Sequence, residues 1–183
     1  MNFTRRRILS VFAATTVAAA PARAGITGIL RGAGDYRRLK MYNPRTGESL
    51  DTIYWLEGGY IRDSLKEINW FMRDWRQDEV IDIDTRTIDI VCAAHRLLEV
   101  DEPYTLFSGY RTRKTNTMLR RSGSGVARNS LHVKGQANDL HLDSRSVGQI
   151  YDAARALGAG GVGRYSGSGF VHMDCGNVRS WGS

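Results

Sequence analysis

The sequence predicts a single α+β domain, with an antiparallel sheet and helices packed on one side of it. Three observations predict this. The 183 residues suit one domain with at most a small appendage. Charged residues at 25% and hydrophobic residues at 42% are ordinary for a folded chain and argue against wholesale disorder. Helical periodicity concentrates before residue 100, while most strand-like runs come later, which is the α+β order. No repeat with a period of 20–50 residues is present, so a solenoid is not expected.

The elements follow in order. Residues 37–42 and 48–55 are strand-like runs on either side of Asn43-Pro44-Arg45-Thr46-Gly47, a Pro/Gly turn that signals a hairpin. After Gly58-Gly59, the residues Ile61, Leu65, Ile68, Phe71, Met72 and Trp75 recur at three- and four-residue steps, predicting an amphipathic helix whose aromatic face is core. Asp84 is placed to cap a second helix over 85–99 carrying Ile88, Val91, Cys92, His95 and Leu98. His95, on or near the apolar stripe, reads as a packed or surface histidine. Tyr104 to Ser108 is a short strand, and the polar residues 112–130 predict a short helix followed by a loop. Strands at Ala137 to Leu142, 160–165 and 169–175 and a helix over 146–157 complete the domain.

The charge of +7 is unevenly placed. Residues 1–24 hold Arg5, Arg6, Arg7 and Arg23 and no acid, and without them 22 basic residues face 19 acidic ones. A body carrying only +3 gives little support to nucleic-acid binding. The leader itself predicts export. An arginine cluster precedes an alanine-rich apolar stretch from Ile8 to Ala20, and Ala22-Arg23-Ala24 is an A-x-A cleavage pattern. The consecutive arginines point to the twin-arginine route, with an ordinary secretory signal as the alternative. The expected organisation is an export signal over 1–24, cut near Ala24, and a periplasmic domain over 25–183 with no stable membrane insertion after cleavage. Cys92 and Cys175 are the sole cysteines. In an oxidising compartment they are free to pair or to remain two buried thiols, and sequence supplies no distance to decide.

Two segments carry chemistry: Ser130-Leu131-His132-Val133-Lys134-Gly135-Gln136-Ala137-Asn138-Asp139, and Gly169-Phe170-Val171-His172-Met173-Asp174. Histidine nitrogens and carboxylate oxygens are good zinc ligands. Gly135 allows the chain to turn between His132 and Asp139. Strand alternation then puts Ala137, Asp139 and His141 on one face, and Phe170, His172 and Asp174 on one face of the later strand. If the two strands are neighbours, His132, Asp139 and His172 converge on one ion and leave a fourth position open, the catalytic rather than the structural arrangement of zinc.

The combination S-x-H-x-x-G-x-A-x-D with a late F-V-H-x-D resembles the zinc D-Ala-D-Ala peptidase superfamily (the Hedgehog/DD-peptidase fold), and more narrowly its murein endopeptidase K branch. The likeness extends to Tyr42-Asn43 and Gly47-Glu48, to Glu67-Ile68-Asn69 and Arg73-Asp74-Trp75-Arg76, to Ile83-Asp84, to Ser108-Gly109-Tyr110-Arg111-Thr112, and to Gly160-Gly161-Val162-Gly163-Arg164-Tyr165. It spans nearly the whole chain beyond the leader. The resemblance implies zinc held by His132, Asp139 and His172, and hydrolysis of peptide cross-links in peptidoglycan. Endopeptidase and carboxypeptidase action both stay open, as do the 3–4 and 3–3 types of cross-link.

In such a mechanism a base takes the proton of the attacking water, and a cation steadies the oxyanion or a substrate carboxylate. Arg111 is the candidate cation, with a surface salt bridge as the alternative. Relatives in the superfamily carry a glutamate three residues, or a histidine two residues, before the last zinc histidine; here those positions are Gly169 and Phe170. Asp174 is the first candidate base and equally a candidate to orient a ligand histidine through its second ring nitrogen. His141 is the second candidate base. Tyr165 is either a hydrogen-bond donor to the oxyanion or a core aromatic. The missing glutamate keeps a second reading in view, a module that holds zinc and grips cell-wall peptides without cutting them.

Overall fold

A computed structural model describes Leu30, residues 36–123 and residues 125–182. The expected export signal and its cleavage point lie outside the described residues. Strands β1 (Tyr36–Asn43) and β2 (Glu48–Leu56) form the hairpin. Asn43 closes its turn, accepting Arg45 N on Oδ1 at 2.9 Å and Gly47 N on its carbonyl at 2.9 Å. The short β3 (Gly59–Tyr60) adds to β2.

Helix α1 (Arg62–Phe71) stops earlier than the apolar periodicity predicts. Ile68, Phe71 and Met72 are buried as expected, but Trp75 lies beyond the helix and instead carries the Arg76 guanidinium 4.1 Å above its ring. The helix ends because Asp74 turns the chain: its carboxylate accepts Arg76 N at 3.1 Å and Thr112 N at 2.9 Å. Helix α2 (Thr85–Leu97) starts where Asp84 accepts Arg86 N at 3.1 Å. His95 is packed, 2.8 Å from Glu102 O and against the Tyr104 ring.

The chain continues through β4 (Tyr104–Ser108), α3 (Arg113–Arg121), a 3-10 turn at Leu131–Lys134, β5 (Ala137–His141) and α4 (Val147–Ala156). It ends with β6 (Gly161–Tyr165), β7 (Phe170–Asp174) and β8 (Arg179–Gly182). Ser146 and Gln149 cap α4 reciprocally. None of the helices among the described residues is long and apolar enough to cross a membrane.

The eight strands form one sheet in the order β3-β2-β1-β4-β5-β7-β6-β8. It is mixed rather than antiparallel throughout, which corrects the expectation. β4 runs parallel to β1 because two helices intervene and carry the chain back to its starting edge. β8 runs parallel to β6 because the chain leaving β7 crosses to the far side of that strand. Helices α2 and α4 pack on each other and against β6 or β7, and α1 lies against β2. Helix α3 packs on no strand as closely and instead lines a surface cavity with Arg113, Asn116, Thr117 and Arg120. Val171 and Met173 of β7 join Ile88, Val91 and Ile150 in the core, each burial contributing about 1.5–3 kcal/mol. Alternation turns His172 and Asp174 to the opposite face. Cys92 and Cys175 are buried free thiols.

Candidate metal centre

The site is built at the middle of the sheet, where β5 and β7 pair antiparallel. Asp139 stands directly opposite His172, and Ala137 opposite Asp174. His132 arrives from the 3-10 turn. Gly135 ends that turn at φ 65°, a left-handed conformation that favours glycine, and reverses the chain so that Asp139 comes back beside His132.

Three donor atoms meet. Asp139 Oδ1 lies 2.9 Å from His172 Nδ1 and 3.2 Å from His132 Nε2, and the two histidine nitrogens are 3.2 Å apart. The side chains are buried, with residue exposures of 1% for His132, 8% for Asp139 and 9% for His172. Tetrahedral zinc, bound at 2.0–2.2 Å, sets its ligand atoms about 3.3 Å apart, so this triangle fits the ion with little movement. The donor set of two imidazole nitrogens and one carboxylate oxygen suits zinc as well.

Each histidine is held through its other nitrogen. His132 Nδ1 lies 2.7 Å from Gly109 O, which fixes this nitrogen as the donor and frees Nε2 to accept a metal. His172 Nε2 lies 2.9 Å from Asp174 Oδ2. Asp174 is fully buried and crowded with donors: Gly176 N at 2.9 Å, Gly161 N at 3.1 Å, and Arg179 Nη1 and Nη2 at 3.1 and 2.7 Å. Burial works against its charge, but His172 and Arg179 prevail and hold the carboxyl well below the usual range. Asp139 is likewise held low by the two histidines in spite of burial. Burial disfavours the charged imidazolium at both histidines. At His132 it prevails and lowers the pKa, whereas at His172 the two aspartates overcome it and push the value up to about 9.

Arg111 donates from Nη2 to Asp139 Oδ2 at 3.0 Å and lines the cleft above the centre. Its buried Nε has no partner among the described residues. His141 is not brought to the cluster: its Nε2 lies 3.1 Å from Asp143 Oδ1, and its ring stacks on Phe107. Tyr165 is a partly exposed wall of the cleft, stacked on Phe170 with centroids 4.6 Å apart, rather than core.

Arg179 and Trp181, both on β8, escaped the sequence reading. Across the sheet, Asp174 pairs with Gly161 and Gly161 with Arg179; one row over, His172 pairs with Gly163 and Gly163 with Trp181. A Cβ at Gly161 would sit 2.4 Å from both Arg179 and Asp174, and one at Gly163 would sit 2.5 Å from the Trp181 indole. The absent side chains let Arg179 reach Asp174 and let Trp181 lie against His172, ring centroids 5.3 Å apart. The available signal was two glycines spaced by two in a strand, facing an arginine and a tryptophan with the same spacing.

A one-domain α+β fold with a buried His-Asp-His cluster at the floor of a cleft has the form of a metallopeptidase, and the family match places the chain in the zinc D-Ala-D-Ala peptidase superfamily. Residues 31–181 match the family described as peptidoglycan L,D-endopeptidase MepK. The chain belongs to that family. It is 41% identical over 145 residues to peptidoglycan L,D-endopeptidase MepK of Escherichia coli strain K12, covering 79% of this chain and 80% of the relative. The protein of the same name in Shigella flexneri matches equally. A probable peptidoglycan L,D-endopeptidase MepK of Haemophilus influenzae is 35% identical over 146 residues, covering 79% and 78% of the two chains.

Proposed function

We propose that this chain is an exported zinc peptidase that hydrolyses peptide cross-links of peptidoglycan in the periplasm, with L,D-endopeptidase specificity. The carrying observation is the triangle of His132, Asp139 and His172 donor atoms at the floor of an open cleft. The relatives' names support the substrate and favour an endopeptidase over a carboxypeptidase. The twin-arginine leader rests on Arg5, Arg6 and Arg7 and the Ala22-Arg23-Ala24 pattern.

When bound, zinc supplies Lewis acidity to the scissile carbonyl and to the attacking water. The chain's own residues do the rest. Gly109 O and Asp174 keep Nε2 of His132 and Nδ1 of His172 turned inward. Arg111, neighbouring Asp139, offers a planar cation to an oxyanion or a substrate carboxylate. Asp174 acts as a positioning residue rather than a base, since both its oxygens are engaged and it does not line the cleft. His141 is left without a role in proton transfer because it faces Asp143.

Among the described cleft-lining residues Asp139 is the one carboxylate. That observation favours one second reading, a zinc-bearing module that grips cell-wall peptides without cutting them. Incubation with purified sacculi separates the two. Release of muropeptides that stops on chelation and returns with zinc is the expected result. Retention on intact sacculi with no new peptides would establish the binder instead.

A further inference from the structure

Beside the metal centre lies a second cavity of about 680 Å³, and its walls are basic. Helix α3 contributes Arg113 and Arg120, seven residues apart and therefore on one helical face. The segment after the helix contributes Arg128, and the 3-10 turn that carries His132 contributes Lys134. No acidic side chain lines this cavity among the described residues. Asn116 ties two of the walls together, donating from Nδ2 to Ala127 O at 3.2 Å. Asn129 and Ser130 line both this cavity and the metal cleft, so the two are continuous.

All four cations are exposed, and two features mark them as a group. Elsewhere Arg37, Arg38, Lys40, Arg73 and Arg86 each pair with a carboxylate, although Arg45, Arg62 and Arg121 pair with none among the described residues. Arg113, Arg120, Arg128 and Lys134 form neither an ion pair nor a side-chain hydrogen bond with another described residue. Arg113 also stands in the first turn of α3, where the helix dipole favours anions, and that turn holds no acid. The chain thus gathers like charges against local preference, an arrangement that a bound anion would relieve.

We propose that this basic groove holds a carboxylate-bearing peptide strand of the substrate beside the scissile bond. The inference deepens the peptidase reading and rests on it for the identity of the strand. Arg113, Arg120 and Arg128 take carboxylates through planar, paired N–H groups, and Lys134 acts as a point charge. Because Lys134 and His132 share one turn, an anion seated there is held at a set offset from the catalytic centre.

The test measures binding of the zinc-loaded protein to an uncross-linked disaccharide tetrapeptide, which offers no cross-link to cut, and to the same compound with its carboxyls amidated. The free acid is expected to bind about tenfold more tightly than the amide, with affinity falling as salt is raised. The Arg120→Glu/Arg128→Glu variant, checked for unchanged melting temperature and zinc content, is expected to lose that preference. Equal affinity of the native protein for acid and amide would overturn the proposal, and this arm needs no variant to fold. Equally tight binding of a single-stranded oligonucleotide of the same charge would overturn the assignment to peptide carboxylates. Cleavage of sacculi is scored separately. A zinc-dependent peptidase with no acid preference loses only the groove, and a protein with the preference and no cleavage loses only the peptidase reading.

Discussion

Asp139 and His172 face each other directly across the antiparallel pair β5 and β7, and their donor atoms lie 2.9 Å apart. Residues 33 positions apart thus become adjacent by strand register alone. A one-residue slip would turn His172 into the core and bring Met173 or Val171 to the site.

His132→Ala or His172→Ala removes one of three donors. Either variant is expected to lose zinc on dialysis and to lose sacculus hydrolysis. Metal analysis and muropeptide chromatography on the same sample check this. Full zinc occupancy in either variant would falsify the proposed ligand set.

Asp174→Asn replaces a charged acceptor behind His172, and Arg179→Ala removes two of the donors that hold it. Partners of this kind contribute about 10–100-fold to metal affinity. Both variants are expected to weaken zinc binding within that range while the fold persists, read by competition with a chelating dye. A base role for Asp174 would instead leave affinity untouched and abolish turnover.

Gly163→Val places a branched side chain where the Trp181 indole lies. Overpacking of this kind costs about 1–3 kcal/mol. Lower thermal stability and a shifted tryptophan emission are expected, since β8 must move away from β6. Gly167→Ala, with open space around its Cβ position, serves as the control and is expected to change neither.

Arg111→Lys keeps the charge and loses the planar fork. Loss of an oxyanion donor costs about 10²–10³ in kcat. Turnover is expected to fall toward that range with zinc retained. A variant with native kcat would remove Arg111 from the mechanism.

The metal-free protein should show a distinct pH profile. His172 is pushed up to about 9, so its contribution to stability is complete below its ordinary value of about 6.5 and is lost as pH rises through 9. Asp139 and Asp174 are held low, so theirs is present above about 3.9 and is lost on further acidification. Melting temperature is therefore expected to fall between pH 6.5 and 9 without zinc, on the order of 5 °C. The zinc-loaded protein should hold steady, because its His172 carries no proton on Nδ1 to lose. Parallel melts of the two forms check this.

Much of the fold was legible because its signals are local. The Asn43 turn and the Asp84 cap each act within about four residues of chain. The end of α1 was not legible, because Thr112 N, 38 residues away, is what satisfies Asp74. Strand β8 was missed for a similar reason. Four residues containing one arginine and one tryptophan carry weak strand propensity, and the strand forms because Gly161 and Gly163 leave room for both side chains.

The sequence by itself determined the α+β class, most of the helices and strands, and the residue types able to bind a metal, since periodicity, capping and ligand chemistry belong to short stretches of chain. Only the tertiary structure decided the mixed order of the sheet, the engagement of Asp174 with His172 and Arg179, and the separation of His141 from the cleft. Those outcomes depend on which strands become neighbours and in what register. That choice is made by burying one core shared among distant segments, and no local stretch of chain encodes it.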